Sequence, residues 1–514
     1  MSKFILKLKN QNRFFREHVT KLLTKANNCI HDIFSISEVA QSKVLQALAV
    51  TFLITFLITF SGWSSQGFTS KYAKAICLPH LAESCTFYKN IIPLIPLPYG
   101  YSQTIFFVFL FSFIALGMYA LYIKKFQYLF IALVLLWSYK LYIVYGFDSG
   151  NYDYYDLIFV ALFLFTKNKL YWLRVFFLVL YFLASTIKIH EGWILGTYFT
   201  SLETGLPIFG NYFAPVITNL VIISQMIFSW FLFKPKDTLA FKLSFFYFLF
   251  FHLYSGILVE YRFMISSLPL LVILFWLPKE VSYKKDEGFF PELLFVFILF
   301  LQLIAIIIPG DQKMTLEGNK YGLYMFEANH QCIANYTINY INSSSTIVTK
   351  KSSDAHNRCD PYDYVYTYKY KCFQSGVKSI MLTFDHSING GPFFRIIDSE
   401  NICKLTYYPF KHNTWIKLPE GEAKIIGYPV KNFYLFNVSK IGEIKYTQDN
   451  LIILPGLEKN EPPRLNKIQE FLSKYIKSIK CVYWVLWITE LLCILYFFFI
   501  LRTPTGSSRF IRRK

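Results

Sequence analysis

Lys188 closes an apolar run and is followed at once by more residues that can do chemistry, in Tyr181-Phe182-Leu183-Ala184-Ser185-Thr186-Ile187-Lys188-Ile189-His190-Glu191-Gly192-Trp193. A lysine with little water around it loses preference for its charged form and can act as a base. The same lysine can equally be an anchor, its stem along apolar surface and its ammonium in water. His190 and Glu191 either tune it or face water. His252 sits in Phe250-Phe251-His252-Leu253-Tyr254. A histidine among aromatic residues needs a hydrogen-bond partner; a satisfied core histidine is the plain reading, a proton-transfer role the sharper one. The third cluster is Asp148-Ser149-Gly150-Asn151-Tyr152-Asp153-Tyr154-Tyr155-Asp156. Acids at the end of an apolar run are usually solvated, but Asp156 lies one turn deeper. Glu260 and Arg262 pair with each other or face a loop.

These residues are embedded in apolar sequence. The chain is 54% hydrophobic and only 16% charged, against about 25% charged in soluble domains. Stretches of ~20 apolar residues can cross a bilayer with every backbone group bonded internally. Such stretches fall at 44–63, 102–123, 126–146, 153–166, 171–189, 212–233, 241–257, 261–277, 289–308 and 481–501. The expected fold is therefore a polytopic α-helical membrane protein with about ten transmembrane helices. The block 241–277 is too long for one crossing and is divided near Ser255–Arg262. Polar residues inside such stretches are where function concentrates.

Charge sets the orientation. The net charge of +20 would suggest nucleic acid in a soluble protein; here it is explained by basic loops on the cytoplasmic side, and no nucleic-acid partner is expected. The segment 1–43 carries Lys3, Lys7, Lys9, Arg13, Arg16, Lys21 and Lys25 and is placed in the cytoplasm. Lys124-Lys125, Lys167 to Lys169, Lys234 to Lys236, Lys279 to Lys285 and the tail Arg509 to Lys514 then fall on the same side. The first outer loop, with Lys71, Lys74 and Lys89, is the exception. No cleavable signal peptide is visible. Residues 3–25 form either a basic helix on the anionic membrane face or a solvated tail.

Residues 309–480 break the apolar pattern and read as a mostly β domain outside the cytoplasm, between the transmembrane region 44–308 and the last span with its tail, 481–514. Strand signals are Thr346–Lys350, Tyr364–Tyr370, Ser379–Phe384, Phe393–Ile397, Ala423–Tyr428 and Phe433–Val438. Lys467–Lys480 reads as a helix leading into the last span. Cys332, Cys359, Cys372 and Cys403 suggest two disulfides in one of three pairings. Cys77 and Cys85 suggest a third, while Cys29, Cys481 and Cys493 read as free thiols. Glu327, His330 and Cys332 are metal-capable, but their spacing matches no zinc pattern, so no metal is expected. Sequons stand at Asn335, Asn342 and Asn437 and matter only in a eukaryotic secretory pathway.

At the Lys188 segment the chain resembles the membrane-embedded vitamin K-dependent γ-carboxylase-like proteins, whose shared region is the HTTM domain. The family pattern is a Tyr-Phe pair, a small residue, a lysine, a tryptophan five residues on, then a glycine. Tyr181, Phe182, Ala184, Lys188, Trp193 and Gly196 match it. The resemblance covers roughly residues 40–310, and continues more weakly through Gly322–Ala328 and Arg358–Pro361. It implies Lys188 as the base that starts oxygen-dependent oxidation of vitamin K hydroquinone, His252 as a family histidine, and Asn151, Tyr152 and Trp193 near the substrate. The family has histidine where Tyr152 stands, and the chain lacks most of the region that binds the protein substrate. Those departures argue against glutamate carboxylation and leave the quinone chemistry.

The expected function is thus a carboxylase-like membrane oxidoreductase acting on a quinone-type lipid, its pocket opening toward the outer leaflet. The alternative is a non-catalytic membrane protein whose outer β domain binds a protein partner. A membrane glycosyltransferase ranks lower, since the first outer loop offers only Glu83 as an acid. No P-loop, dinucleotide fingerprint, HExxH or GxSxG is present. The expected location is the inner membrane in a bacterium or the endoplasmic reticulum in a eukaryote.

Overall fold

The computed structural model describes residues 32–59, 99–147, 151–200, 206–259, 263–278, 289–319, 322–324, 328–352, 358–373, 376–388, 393–417, 445–446, 451–453 and 465–499. The expected strands Ala423–Tyr428 and Phe433–Val438 lie outside these residues, as do Cys29, Cys77, Cys85, Glu260, Arg262, Glu327 and Asn437.

Helices stand at each of the apolar stretches. In chain order, after the short α1 (Ile36–Gln41) that precedes them, those between 44 and 308 are α2 (Lys43–Ile58), α3 (Tyr99–Tyr122), α4 (Phe126–Phe147), α5 (Asn151–Phe165), α6 (Lys169–Ser185), α7 (Gly210–Met226), α8 (Leu239–Ile257), α9 (Met264–Leu271) and α10 (Phe290–Ile307). Four helices are long and apolar enough to cross a membrane: Lys169–Lys188, Leu239–Ile257, Phe290–Ile307 and Ile476–Phe499. Others are shorter over their described residues, among them Lys43–Ile58 and Met264–Trp276. The block 241–277 does break where expected, α8 ending at Ile257 and α9 starting at Met264. Pro269 lies inside α9, and the backbone widens into a π turn over Val272–Trp276. Proline supplies no N–H and crowds the preceding turn, a common cause of such irregularity.

α6 is the central element. Almost all its residues are buried, Phe176, Leu178, Val179, Phe182 and Leu183 wholly so. A helix apolar all round must be surrounded. Its N-terminus is closed from a distance. Glu38 of α1 accepts from the backbone N–H of Asn168 and of Lys169, each at 2.9 Å. A carboxylate there satisfies two orphan donors and opposes the positive end of the helix dipole. By contrast α8 exposes Leu243, Phe246 and Phe250, the apolar exterior that suits lipid.

A second core surrounds an antiparallel sheet. Four long strands run β2-β1-β3-β4: β1 (His330–Tyr340), β2 (Ser345–Ser352), β3 (Val377–Ile388) and β4 (Phe393–Asn401). Two short ones, β5 (Lys445–Tyr446) and β6 (Leu451–Ile453), extend it beyond β4. The expected strands at 346–350, 379–384 and 393–397 are present. Central β1 was not expected. Its alternate residues Cys332, Ala334, Tyr336 and Ile338 are all buried on one face, facing Ile380, Leu382 and Phe384 of β3 in the same core. Arg395 donates to both carboxylate oxygens of Asp385 (2.6 and 3.1 Å), joining β4 to β3. Burial pushes the Asp385 carboxyl above its ordinary range, and the Arg395 fork opposes that rise.

Tyr364–Tyr370 is not a strand. Pro361–Lys369 is a helix, α11, and Tyr370–Phe373 a 3-10 turn. Asp360 accepts from the Tyr362 N–H (3.0 Å) at the helix start, and proline suits the first helical position. Tyr362, Val365 and Tyr368 then point into the core at helical spacing, Tyr368 stacking on Tyr336 with ring centroids 3.9 Å apart. One end of this segment is bridged to β1 and the other to the turn just after β4. Of the three possible pairings the structure has Cys332–Cys359 and Cys372–Cys403, and Cys481 and Cys493 are free. Replacing Cys372 and Cys403 by serine is expected to remove about 2–4 kcal/mol, read as protease cleavage of the sheet domain at lower denaturant. Unchanged protease resistance would show that the bridge does not hold this helix on the sheet.

The expected helix Lys467–Lys480 is divided at Tyr475: Lys467–Lys474 forms α12, with a reciprocal cap between Asn466 and Gln469, and the rest belongs to α13 (Ile476–Phe499), which carries the last apolar stretch.

Candidate functional site

Lys188 is held where α6 changes character. Ser185 and Thr186 donate back to the carbonyls of Phe182 (2.6 Å) and Leu183 (2.8 Å), and the helix tightens to a 3-10 turn over Thr186–Lys188. Hydroxyls that compete for helix carbonyls favour such endings. Lys188 is only 6% exposed. Its Nζ donates to the Ala184 carbonyl (2.9 Å) and lies 5.3 Å from the centre of the Trp193 ring. Trp193 in turn stacks on Tyr198, ring centroids 5.4 Å apart. The Tyr198 carbonyl accepts from Asn329, at the entry to β1. So the lysine's aromatic wall is braced by the sheet domain.

The neighbours of Lys188 are engaged elsewhere. His190 Nδ1 accepts from the Gly192 N–H (3.1 Å), capping the short helix Glu191–Ile194. Glu191 lies 3.5 Å from Lys480. Among the described residues, Gln302 of α10 reaches the lysine's turn. Its amide donates to Thr186 Oγ1 (2.8 Å) and its oxygen accepts from the Leu323 N–H (2.7 Å). Tyr324 donates to the Gln302 carbonyl and packs with Ile187 and Ala305. Residues 322–324 thus lie against this turn.

His252 is fully buried in α8. Its Nε2 is bonded to the Tyr181 hydroxyl, and its Nδ1 lies 2.9 Å from Ser267 Oγ. Ser267 also donates to the Phe263 carbonyl (2.8 Å). One proton arrangement satisfies every contact: Tyr181 donates to Nε2, Nδ1–H donates to Ser267, and Ser267 donates to Phe263. The imidazole is then neutral and the chain has a direction. Tyr181 and Ser267 line a cavity walled by Phe177, Phe263 and Leu270, together with Tyr155 and Ser266. Among the described residues, the buried Ser266 hydroxyl has no hydrogen-bond partner.

Lys188 and His252 do not meet. Tyr181, the partner of His252, precedes Lys188 by two turns of one helix, roughly 10 Å along its axis. Asn151 and Tyr152 are the first two residues of α5; their side chains lie outside the described set. Between α4, α5 and α10 runs a narrow apolar cleft. Trp137, Leu157 and Ile298 line it, and it reaches Gly322 and Leu323.

A buried ionic cluster is the feature that sequence reasoning missed. Lys140 of α4 lies 2.8 Å from Asp153 and 3.0 Å from Asp156, both of α5. Lys140 and Asp153 are wholly buried and Asp156 is 5% exposed. Thr59 Oγ1 accepts from the same ammonium at 3.4 Å. Asp156 is therefore paired, not solvated.

Of the metal-capable residues Cys332 and His330 have other partners, and Glu327 lies outside the described residues. Cys332 is bridged. His330 Nδ1 contacts His386 Nε2 (2.9 Å), and His386 Nδ1 donates to the Met314 carbonyl (2.7 Å). Among the described residues no three His, Cys, Asp or Glu side chains gather to hold a metal. In comparisons with known proteins, no family model, curated protein or solved structure matches the chain.

Proposed function

We propose that this chain is a membrane oxidoreductase of the vitamin K-dependent carboxylase-like, HTTM type, acting on a quinone-type lipid. One observation carries the reading: a lysine withdrawn from water, on a turn that Gln302 ties to the end of an apolar cleft. An isoprenoid-like tail suits walls of Trp137, Leu157 and Ile298, and the ring would lie at the Leu323 end. Lys188 in its neutral form takes a proton from the quinol hydroxyl. Two electrons and two protons leave the quinol in all, and oxygen accepts them as hydrogen peroxide. Trp193 keeps the ammonium so formed within a cation–π contact. The Tyr181–His252–Ser267 chain is a second, deeper proton-handling group. Glutamate carboxylation is not part of the proposal, because Tyr152 stands where the family has histidine.

The proposed topology has ten crossings, both termini in the cytoplasm and residues 309–480 outside. This puts Lys188 at the outer end of its helix, where the positive-inside rule gives no reason for a lysine.

The test is oxygen uptake by the purified full chain in mixed micelles with a reduced naphthoquinone or benzoquinone. Quinol-dependent uptake, lowered in His252→Phe, supports the reading. No uptake with either class favours the second reading, a non-catalytic protein whose outer sheet binds a partner. That sheet leaves the edge strand β2 open, with Ile347 70% exposed.

A further inference from the structure

At the opposite end of α6, Arg174 is 9% exposed. Its guanidinium carbon lies 4.8 Å from the centre of the Phe275 ring and 5.9 Å from that of Phe233. Its Nε has no hydrogen-bond partner among the described residues. The next residue along from Phe275 takes a second cation, the Trp276 carbonyl accepting from Lys236 Nζ. Two cations thus converge on consecutive residues of the π turn. Among the described residues no carboxylate lies within ion-pair distance of either; Asp237, next to Lys236 in the chain, is exposed and pairs with neither. Partial burial, then the Arg174 charge, hold the Lys236 ammonium below the usual lysine range. Like charges brought together without a counter-charge are costly, and an anion between them would relieve that cost.

We propose that Arg174 and Lys236 bind the phosphate of an anionic phospholipid. The planar guanidinium fork matches two phosphate oxygens at once, and the lysine adds a point charge. The surroundings favour a lipid over a free ion. Phe233, Trp276 and Leu277 are exposed apolar groups at the rim, and tryptophan beside lysine is characteristic of the headgroup level of a membrane. Arg174 lies five residues into α6, roughly 7.5 Å along its axis, a depth at which a headgroup phosphate and its glycerol can reach it. The site is independent of the quinone reading, being at the other end of the helix from Lys188.

The experiment is native mass spectrometry of the full-length protein in neutral detergent, offered equal phosphatidylglycerol and phosphatidylcholine. The wild type is expected to retain phosphatidylglycerol with roughly tenfold preference, the scale of one or two charge-assisted hydrogen bonds. Arg174→Gln should abolish the preference, Lys236→Gln should weaken it, and Arg174→Lys should fall between, since it keeps charge without the fork. Lys125→Gln, a basic residue elsewhere, should leave it unchanged. Equal retention of both lipids by the wild type, or full preference in Arg174→Gln, would overturn the proposal. Displacement of the lipid by inorganic phosphate alone would also overturn it, by assigning the site to a free ion. If Arg174→Gln does not fold, Arg174→Lys and Lys236→Gln decide the matter by the same readout.

Discussion

Protein carrying Lys188→Arg is expected to oxidise no reduced quinone, while its yield, helix content and melting behaviour match the wild type. Arginine preserves what an anchor needs. It keeps the charge, can donate to the Ala184 carbonyl that now accepts from Lys188, and favours the face of an aromatic ring such as Trp193. It cannot supply a neutral amine, because a guanidinium remains protonated at any physiological pH. Loss of a positioned general base typically costs 10²–10⁴-fold in rate. Lys188→Ala should lose activity as well, and should also loosen the Trp193 and Tyr198 stack that leads to the sheet domain. The contrast between the two variants separates chemistry from support. Oxygen uptake by Lys188→Arg equal to that of the wild type would reject the base and leave the lysine as an anchor.

Much of the helical architecture was legible because apolar runs are long and unambiguous. What could not be read was which side chains the packing brings together. Tyr181 and His252 were each visible, one in the Tyr-Phe pair and one in an aromatic run, but nothing local says that α6 and α8 place them in contact. The central strand β1 was hidden by its polar start, His330-Gln331, although Cys332, Ala334, Tyr336 and Ile338 alternate as a strand should. The reverse error occurred at 364–370. Tyr364, Tyr366, Tyr368 and Tyr370 alternate, yet Asp360-Pro361 is a helix-start signal, and the core takes Tyr362, Val365 and Tyr368 at helical spacing. Competing periods in one short segment are settled by its ends, here by a capping carboxylate and a proline. Disulfide pairing was open on sequence grounds, since four cysteines allow three solutions and only the fold brings two pairs together.

The Lys140 cluster was the legible feature that went unread. Lys140 lies seven residues before the end of α4 and Asp156 five residues after the start of α5, so an antiparallel α4–α5 pair must bring them to a similar depth. Lys140→Met is accordingly expected to give the largest structural defect of any substitution considered. Methionine fits the volume and suits an apolar helix, so a surface or lipid-facing lysine would tolerate the change. Here it leaves Asp153 and Asp156 buried without the ammonium that lies 2.8 and 3.0 Å from them. Removing one partner of a buried ion pair typically costs about 3–5 kcal/mol, because the remaining charge must be neutralised or exposed. Replacing the whole group by neutral residues costs far less. Lys140→Met should therefore cut the folded yield and lower the unfolding midpoint, and adding Asp153→Asn with Asp156→Asn should recover most of the loss. Size-exclusion profiles of detergent-solubilised protein and a denaturant titration would measure both. A wild-type midpoint for Lys140→Met alone would mean that the cluster does not hold α4 to α5. A defect that the two asparagines fail to relieve would mean that Lys140 acts through its packing on Phe56 and Thr59, not through its charge.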